Sequence, residues 1–518
     1  MAKNISLMGA SYSDVPAVVL PQTGGGTARF DDASVTTATA SDVAQGKIFL
    51  ASDGSITTGT GTGGGGGAVV QPLSVTTNGT YTAPSGVDGY SPVTVNVSGG
   101  GGGEAVSRSD VNFYDYDGTL LYSFTTAEVN DSGFTMPSNP SHTGLTAQGW
   151  NWTLAQLRTQ LTAMPTQAVD VGQMYITDDG KTRLYCRFEE GRLHPYLGIC
   201  VNGTVVVDWG DGSATSTLTG TTLTTAKVAD HVYASGGDYM ITLTVSSGSA
   251  LILGNSSTTY LLRKANNTTQ NIHRVYSNAL VKVELGTGIG VGKYAFCFCS
   301  ALTNITIPSG VTSVGTYAFY YCYSLTNVTI PSGMTSIGAN VFQYCYALAN
   351  ITIPSGMTSI DGSSFYYCYA LANITIPSGM TSIGPSVFQY CYSLTNITIP
   401  SGVTSIGGSA FRNCTSLTNV TIPSGMTSIN PSTFQSCFSL ANVTISSGVT
   451  SIGTNAFTSD YGLGEIHFKP TTPPTVGNAA AWSNVPTDCV IYVPTGTLSA
   501  YTSAANYPSS STYTYIEE

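Results

Sequence analysis

Asp115 and Asp117 in DYDGTL set two carboxylates two residues apart, one able to serve as a nucleophile and the other as a proton donor. A site of that kind in an α/β domain would need strand–helix alternation around it. The stretch that follows shows little strand–helix alternation, so Asp117-Gly118 reads as a hairpin turn. The five histidines, His142, His194, His231, His273 and His467, are scattered, with no H-E-x-x-H pair or paired CxxC spacing. Cys186, His194 and Cys200 offer three zinc ligands at most. Asp208 and Asp211 in VVVDWGDGS could hold calcium, but DG-rich turns form without it. An enzyme acting on polysaccharide would need a carboxylate pair, and from 302 to 462 the charged residues are Asp361, Arg412 and Asp460 alone. The chain is therefore expected to be non-enzymatic, with no catalytic residue, metal or cofactor.

Tyrosine is the residue whose spacing suits recognition. Tyr320, Tyr321, Tyr323, Tyr344, Tyr346, Tyr366, Tyr367, Tyr369, Tyr390 and Tyr392 cluster around a column of cysteines that recurs every 23 residues, at Cys299, Cys322, Cys345, Cys368, Cys391, Cys414 and Cys437. Each unit reads approximately LTNITIPSGVTSIGxxAFxxCxS, with further columns of leucine (Leu302 to Leu463) and phenylalanine (Phe296 to Phe457). A period of this length means stacked coils, each contacting its neighbours. Within a unit, Leu302, Ile305, Ile307, Val311 and Val314 make two alternating runs, and Phe319, Cys322 and Leu325 recur at spacing three. That predicts strand, turn, strand and helical turn, with Pro308-Ser309-Gly310 at the corner. Spacing three also puts positions 320, 321 and 323 at or near the surface. The quartets vary along the array as YYCY, QYCY, YYCY, QYCY, RNCT and QSCF. Two uses are open: rings that clamp successive coils, or a strip that recognises an outside surface.

One coil cannot fold alone, so the array needs several coils and protected ends. An opening coil from Leu280 and seven full coils to Gly462 make eight, and at Asp460 the cysteine column breaks. Eleven cysteines, seven in one column, exclude an orderly disulfide framework and read as buried thiols; Cys186 and Cys200 could pair in an oxidising exterior. The N-x-T strings at Asn304, Asn327, Asn350, Asn373, Asn396, Asn419 and Asn442 read as an outward Asn and Thr ladder on the strand face. The 518 residues include 59 Gly, only 9% are charged, and the net charge is −11 with no Lys/Arg cluster. These values predict several modules in series and exclude the basic footprint of a nucleic-acid binder. No run approaches the length of a membrane span, and the start lacks an apolar core of secretory length.

Pentaglycine runs at 63–67 and 99–103 act as flexible linkers. They separate an N-terminal segment, 1–62, and a small β module, 68–98, from an α+β module at 104–198. A β-sandwich at 199–253, a connector at 254–279, the repeats at 280–462 and a cap at 463–518 complete a mainly β, multi-module chain. Within 104–198, hairpins are expected around Asp117-Gly118 and Asp179-Gly180, and a helix at TLAQLRTQL.

Several segments resemble known families. The AFxxCxxL and IxIPxxVTxIG runs, with IYVP in the tail, resemble BspA-like leucine-rich repeat proteins and imply adhesion or recognition. Trp209, Asp211, Gly212, His231, Tyr233, Gly237 and Tyr239 match the pattern of PKD-type β-sandwich domains. GASYSDVPAVVLPQTGGGTARFDD, ASDVAQGKIFLASDGSITTGT and NGTYTAPSGVDGYSPVTVNV resemble N-terminal segments of fibre and tail proteins from phages of gut bacteria. DYDGTL is similar to the haloacid dehalogenase signature, and LPQTG at 20–24 to the sortase string, here far from the C-terminus where that signal works. Together these imply a virion-surface fibre, in tail or head, assembled in the host cytoplasm. It would attach to other virion proteins through its N-terminal region and bind a host-surface or mucosal glycan or protein through the repeats. It would insert in no membrane and form a homo-oligomer, trimeric as fibres frequently are. The alternative is a bacterial BspA-type cell-surface adhesin, which would need an export signal that the sequence does not display.

Overall fold

The structure, a computed structural model, describes residues 110–254, 260–263 and 276–518, together with short strands within the first 105 residues. The chain divides into two compact units, Met1–Ala105 and Val106–Glu518. In the first, four antiparallel strand pairs are formed: Ile5–Leu7 with Ala10–Tyr12, Val18–Gln22 with Gly26–Phe30, Ile48–Leu50 with Ile56–Thr58, and Gly79–Tyr81 with Val93–Val95. The expected anchoring role of this region concerns side chains outside the described residues.

In the second unit, strands Leu120–Phe124, Val111–Tyr114, Val169–Thr177 and Leu145–Trp150 form a mixed sheet in that order. Helix Leu154–Ala163 starts at a capping box in which Thr153 and Gln156 exchange side-chain and backbone hydrogen bonds. It packs Leu157 and Leu161 against Val111, Phe113, Val169 and Val171. The hairpin expected around Asp179-Gly180 does not form. Val169–Thr177 stays in this sheet, whereas Thr182–Phe188 leaves to pair with Gly237–Val245 and Leu280–Glu284.

The segment expected to be a free-standing sandwich is built into the solenoid's first turn. Its strands Tyr196–Asp208, Ser216–Asp230, Gly237–Val245 and Ala250–Leu253 are antiparallel neighbours, and the division expected at 198/199 falls inside the first of them. Ala250–Leu253 also pairs in parallel with Ile289–Val291 of the opening coil. Buried side chains run without a break from Leu184 of this sheet to Tyr501 of the cap, so the sheet closes the solenoid's N-terminal end.

Each coil contributes three ladders. The first stacks Asn304–Thr306, Asn327–Thr329 and Asn350–Thr352 in parallel register and resumes at Asn419–Ile422, Asn442–Ile445 and Glu465–Phe468. The second stacks the Ser-Ile dipeptides from Ser336–Ile337 to Ser405–Ile406. The third is not the expected helical turn. Tyr317 and Tyr321 have φ of 60° and 62°, and the same two positions are left-handed in every full coil. A helix cannot continue through them. Alternate amides turn outward instead: Phe319 N donates to Val341 O and Tyr321 N to Gln343 O in the next coil, while Cys322 N bonds Phe319 O within its own.

Inside, phenylalanines stack ring on ring at 5.2–5.6 Å, and Trp482 takes the rung after Phe457 at 5.3 Å. With Leu463, Ile466, Phe468 and Val476 buried beside it, this makes a ninth turn where eight were expected. All eleven cysteines are buried thiols, Cys186 and Cys200 included. Those two lie on strands separated by Gly237–Val245. The column thiols from Cys322 to Cys437 each donate to the carbonyl of a phenylalanine 26 residues earlier, at 3.0–3.3 Å.

The α+β module lies on the strand face of the early coils. Proline supplies no amide hydrogen, so Pro354, Pro377 and Pro400 give no ladder donor to Ile330 O, Ile353 O and Ile376 O of the preceding coils. Side chains of the module donate there instead. Asn151 Nδ2 reaches Ile330 O and Thr352 O at 3.2 and 3.3 Å, Trp152 Nε1 reaches Ile353 O at 2.9 Å, and Gln160 Nε2 reaches Ile376 O at 3.1 Å. Gly172 permits this approach, since a Cβ there would stand 2.3 Å from Thr352 Oγ1. In the one coil whose corner carries Ser446 in place of proline, the hydroxyl donates to Ile422 O itself.

Candidate recognition flank

The third ladder of each coil carries the tyrosines singled out above. Left-handed backbone at Tyr321, Tyr344, Tyr367 and Tyr390 (φ 62–65°) brings their rings into one row, at a cost of about 1–2 kcal/mol per residue. Stacking offsets part of that cost, because aromatic pairs contribute about 0.5–1.5 kcal/mol each. Successive rings lie 4.4, 5.0 and 4.3 Å apart and within 16° of parallel. A second row, Tyr323, Tyr346, Tyr369 and Tyr392, repeats at 4.9, 4.7 and 5.0 Å. Tyr320 and Tyr366 stand edge-on beside the first row, 4.3 and 4.4 Å from Tyr321 and Tyr367. All ten residues thus converge on one flank. Tyr323 and Tyr392 are 38% exposed and the other eight are half-buried.

The rings are consumed by one another, so within the rows the flank offers edges and phenol hydroxyls rather than open faces. Tyr344 shares hydrogen bonds with Tyr321 and Gln343, and Tyr367 with Tyr366 and Tyr390. Burial, then the neighbouring Tyr323 and Tyr369, pushes the Tyr346 hydroxyl up to about 12. Tyr320, Tyr344, Tyr367, Tyr369 and Tyr392 are raised too, with burial the largest cause. These six hydroxyls therefore stay neutral across the physiological range. Sequence reading missed Phe298, which heads the first row at 5.2 Å from Tyr321 and shares its left-handed backbone. The 23-residue spacing from Tyr321 was the available signal.

The other candidates are structural. Asp115 carries no free carboxylate oxygen: Tyr175 OH donates to one at 2.9 Å and His142 Nε2 lies 2.8 Å from the other. Asp117 Oδ1 accepts from Thr119 N, closing the expected turn. A cleft of about 190 Å³ opens nearby, lined by Tyr116, Tyr175, Lys282, Glu284 and Asn304 among others. In the DWGDG loop, Asp208 and Asp211 accept from Gly210 N and Ser213 N, and Asp211 also meets His231 at 2.7 Å. The bonds from Ser213 and His231 hold the Asp211 carboxyl at about 2. His231 stacks on Trp209 at 5.1 Å, and Tyr233 OH donates to Trp209 O, so the aligned residues lock one corner of the sheet. Among the described residues no three metal-binding side chains come together. Nor is any helix there long and apolar enough to cross a membrane.

Residues 276–395 and 381–483 match the family model of the BspA type leucine-rich repeat region, in six copies. The first three solved structures matched are all leucine-rich. A Bacteroides ovatus leucine-rich repeat protein is 33% identical over 36% of this chain and 47% of its own, with a TM-score of 0.33. The T. pallidum leucine-rich repeat protein is 31% identical over 36% of this chain and 84% of its own, at 0.29. A Faecalibacterium prausnitzii leucine rich cell surface protein is 23% identical over 53% and 92%, at 0.28. The chain thus spans about half the length of the Bacteroides protein. No curated protein matches. The N-terminal runs and the segment 199–253 lie outside the family match.

Proposed function

We propose that this chain, whose residues 276–483 are a BspA-type leucine-rich repeat region, is a non-enzymatic extracellular binding protein of the bacterial cell-surface adhesin kind. The flank of stacked tyrosines would be its contact surface. The observation that carries this reading is the state of the two faces among the described residues: the strand face of the early coils is occupied by the chain's own module, while the phenol-edged flank meets the connector at Tyr260 alone, at its Phe298 end. Tyrosine presents large area at low entropic cost, and edges with hydroxyls suit hydroxylated or amide-rich partners such as surface glycans or proteins. The family match and the surface description of the Faecalibacterium protein support an exterior setting. The phage-fibre reading, with its virion partners and trimer, leans on the N-terminal runs and gains nothing from the repeat match, so the adhesin reading takes precedence.

The test compares two triple variants at Tyr344, Tyr367 and Tyr390. Changing all three to Phe keeps the stack and removes the hydroxyls, at about 0.5–1.5 kcal/mol per lost hydrogen bond. Binding to epithelial cells or mucin should fall about tenfold or more while the melting temperature moves little. Changing all three to Ser should lower both, since three stacked pairs at about 0.5–1.5 kcal/mol each disappear. If both variants adhere as the parent does, the tyrosines only clamp the coils.

A further inference from the structure

Where the module meets the start of the solenoid, three segments leave a cleft of about 190 Å³ between them. The turn at Tyr116 and Asp117 forms one wall, strand Leu280–Glu284 the second, and strand Asn304–Thr306 the third. Each wall is held in place by bonds to its surroundings. Asn327 Nδ2 donates to Asp117 O at 2.6 Å and fixes the turn on the coil, where Gly118 leaves room for the Asn327 amide. Thr177 N donates to Leu285 O at 3.2 Å and joins the module's sheet to the second wall. Glu284 receives Lys282 Nζ at 2.8 Å and Tyr185 OH at 2.9 Å on separate oxygens. The cavity is thus preformed by docking of the module, at the kind of seam between packed units where small-molecule sites concentrate.

The lining selects against charge of either sign. Lys282 and Glu284 already neutralise each other, and Asp115 is taken by Tyr175 OH and His142. The exposed Lys282 repels a cation, whereas Asp117 and Glu284 repel an anion. A neutral ligand meets neither penalty. It finds an acceptor in Asp117, whose second carboxylate oxygen meets no donor among the described residues, a donor in Lys282, and both in Asn304. Tyr116 and Tyr175, edge-on to each other at 5.5 Å, give the same cleft an aromatic wall, and Leu145 an aliphatic one. A pyranose ring combines the hydroxylated edge and the C–H face that such walls fit. Drug-sized ligands fill about 300–1,000 Å³, so 190 Å³ admits one such ring rather than a chain of them.

We infer that this cleft binds one neutral hexopyranose residue, its ring against Tyr116 and its hydroxyls shared among Asp117, Lys282 and Asn304. The site is separate from the tyrosine flank, which follows the third ladder of the coils, whereas the cleft opens on the first. The inference goes beyond the flank reading and does not depend on it. Carboxylate and ammonium partners make the shorter and stronger class of hydrogen bond with hydroxyls. The sugar is read by three segments that meet only while the module is docked, so recognition here is tied to that docking.

Calorimetric titration of the full chain with the methyl glycosides of galactose, mannose and N-acetylglucosamine tests this. At the efficiency of drug-sized ligands, a molecule of about 12–16 non-hydrogen atoms binds at about millimolar Kd, and at least one of the three should do so. Ethanolamine and glucuronate, the charged controls, should bind at least about tenfold more weakly. Asp117→Asn keeps the oxygen that closes the turn and should weaken the sugar about tenfold. Thr303→Trp, at an exposed position lining the cleft, should fill it and abolish binding at an unchanged melting temperature. Should Thr303→Trp fail to fold, Asp117→Asn decides alone. The proposal is overturned by silence of all three glycosides at about 20 mM, by a charged control binding as tightly, or by parental affinity in either folded variant. Loss of the sugar in the Tyr344, Tyr367 and Tyr390 to Phe variant, with Thr303→Trp still binding, would move the sugar to the flank and overturn the cleft. Parental sugar binding by that Phe variant, whatever its cell adhesion, supports a cleft site separate from the flank.

Discussion

The strand face and the tyrosine flank of the solenoid repeat with one period, yet they satisfy their polar groups differently. On the strand face the proline corners leave isoleucine carbonyls without ladder donors, and the amides and indole of Asn151, Trp152 and Gln160 supply them from a module about 200 residues away in sequence. Thr329, Thr352 and Thr375 are buried beneath it, while Thr421, on the same column further along, is exposed. Among the described residues the flank borrows one ring, Tyr260 beside Phe298 at its first rung. Its amides bond the next coil, its rings stack on one another, and its thiols reach the phenylalanine carbonyls within the array. A face completed from within is free to meet something else; a face completed by its own chain is not.

The largest expected effect comes from removing the borrowed donors. Trp152 is fully buried between the helix Leu154–Ala163 and the coils, so Trp152→Ala should destabilise the chain by about 3–5 kcal/mol in chemical denaturation. Trp152→Phe keeps most of the bulk and orphans Ile353 O, at about 1–3 kcal/mol. A change below 1 kcal/mol in the alanine variant, within the scatter of surface substitutions at about 0.5 kcal/mol, would mean that the strand face needs no partner and the contrast between faces is illusory.

These contrasts were unevenly legible in the sequence. The columns of Leu302, Phe319 and Cys322 announced stacked coils because a buried position tolerates little variation in type when every layer must fit the next. The left-handed positions carried Tyr, Asn and Ser rather than Gly, so spacing three read as a helical turn. The ninth turn was hidden because PTTPPTV replaces IPSGVTSIG and Trp482 replaces phenylalanine. Docking of Asn151 and Gln160 left no mark, since hydrogen bonds across some 200 residues impose no local period. The tyrosines were found by period and adjacency, but only coordinates reveal that their faces are spent on each other.

A smaller effect of opposite sign is expected where the flank's inner column fails. Asp460 replaces the column cysteine and is fully buried; one carboxylate oxygen accepts from Cys437 N at 2.8 Å and the other has no partner. Burial raises its pKa well above the ordinary value of 3.8. A carboxyl raised on folding contributes its stability below about 3.9, its unfolded value, and loses it as pH rises through the folded value. At neutral pH the carboxylate is therefore a burden, and Asp460→Asn should stabilise by about 1–3 kcal/mol. The gain should vanish in melts run below about pH 3.9. A loss of stability at neutral pH would show that the orphaned oxygen has a use in the last coil.

The smallest effect is spectroscopic and follows the flank alone. Tyrosines raised above 10 on folding favour the folded state below that value and cease to do so as pH climbs through their folded values, Tyr346 at about 12. Tyrosinate absorbance of the native chain should lag behind that of the denatured chain between about pH 10 and 12. The lag should be shorter in the Tyr344, Tyr367 and Tyr390 to Ser variant, whose remaining rows lose the neighbours that bury them. In Trp152→Ala it should be unchanged wherever that variant remains folded, because the described residues of the module make no ring contact with these tyrosines. Were the Trp152 variant to shorten the lag as much as the serine variant, the two faces would be coupled through the core, and the flank could no longer be treated as complete in itself.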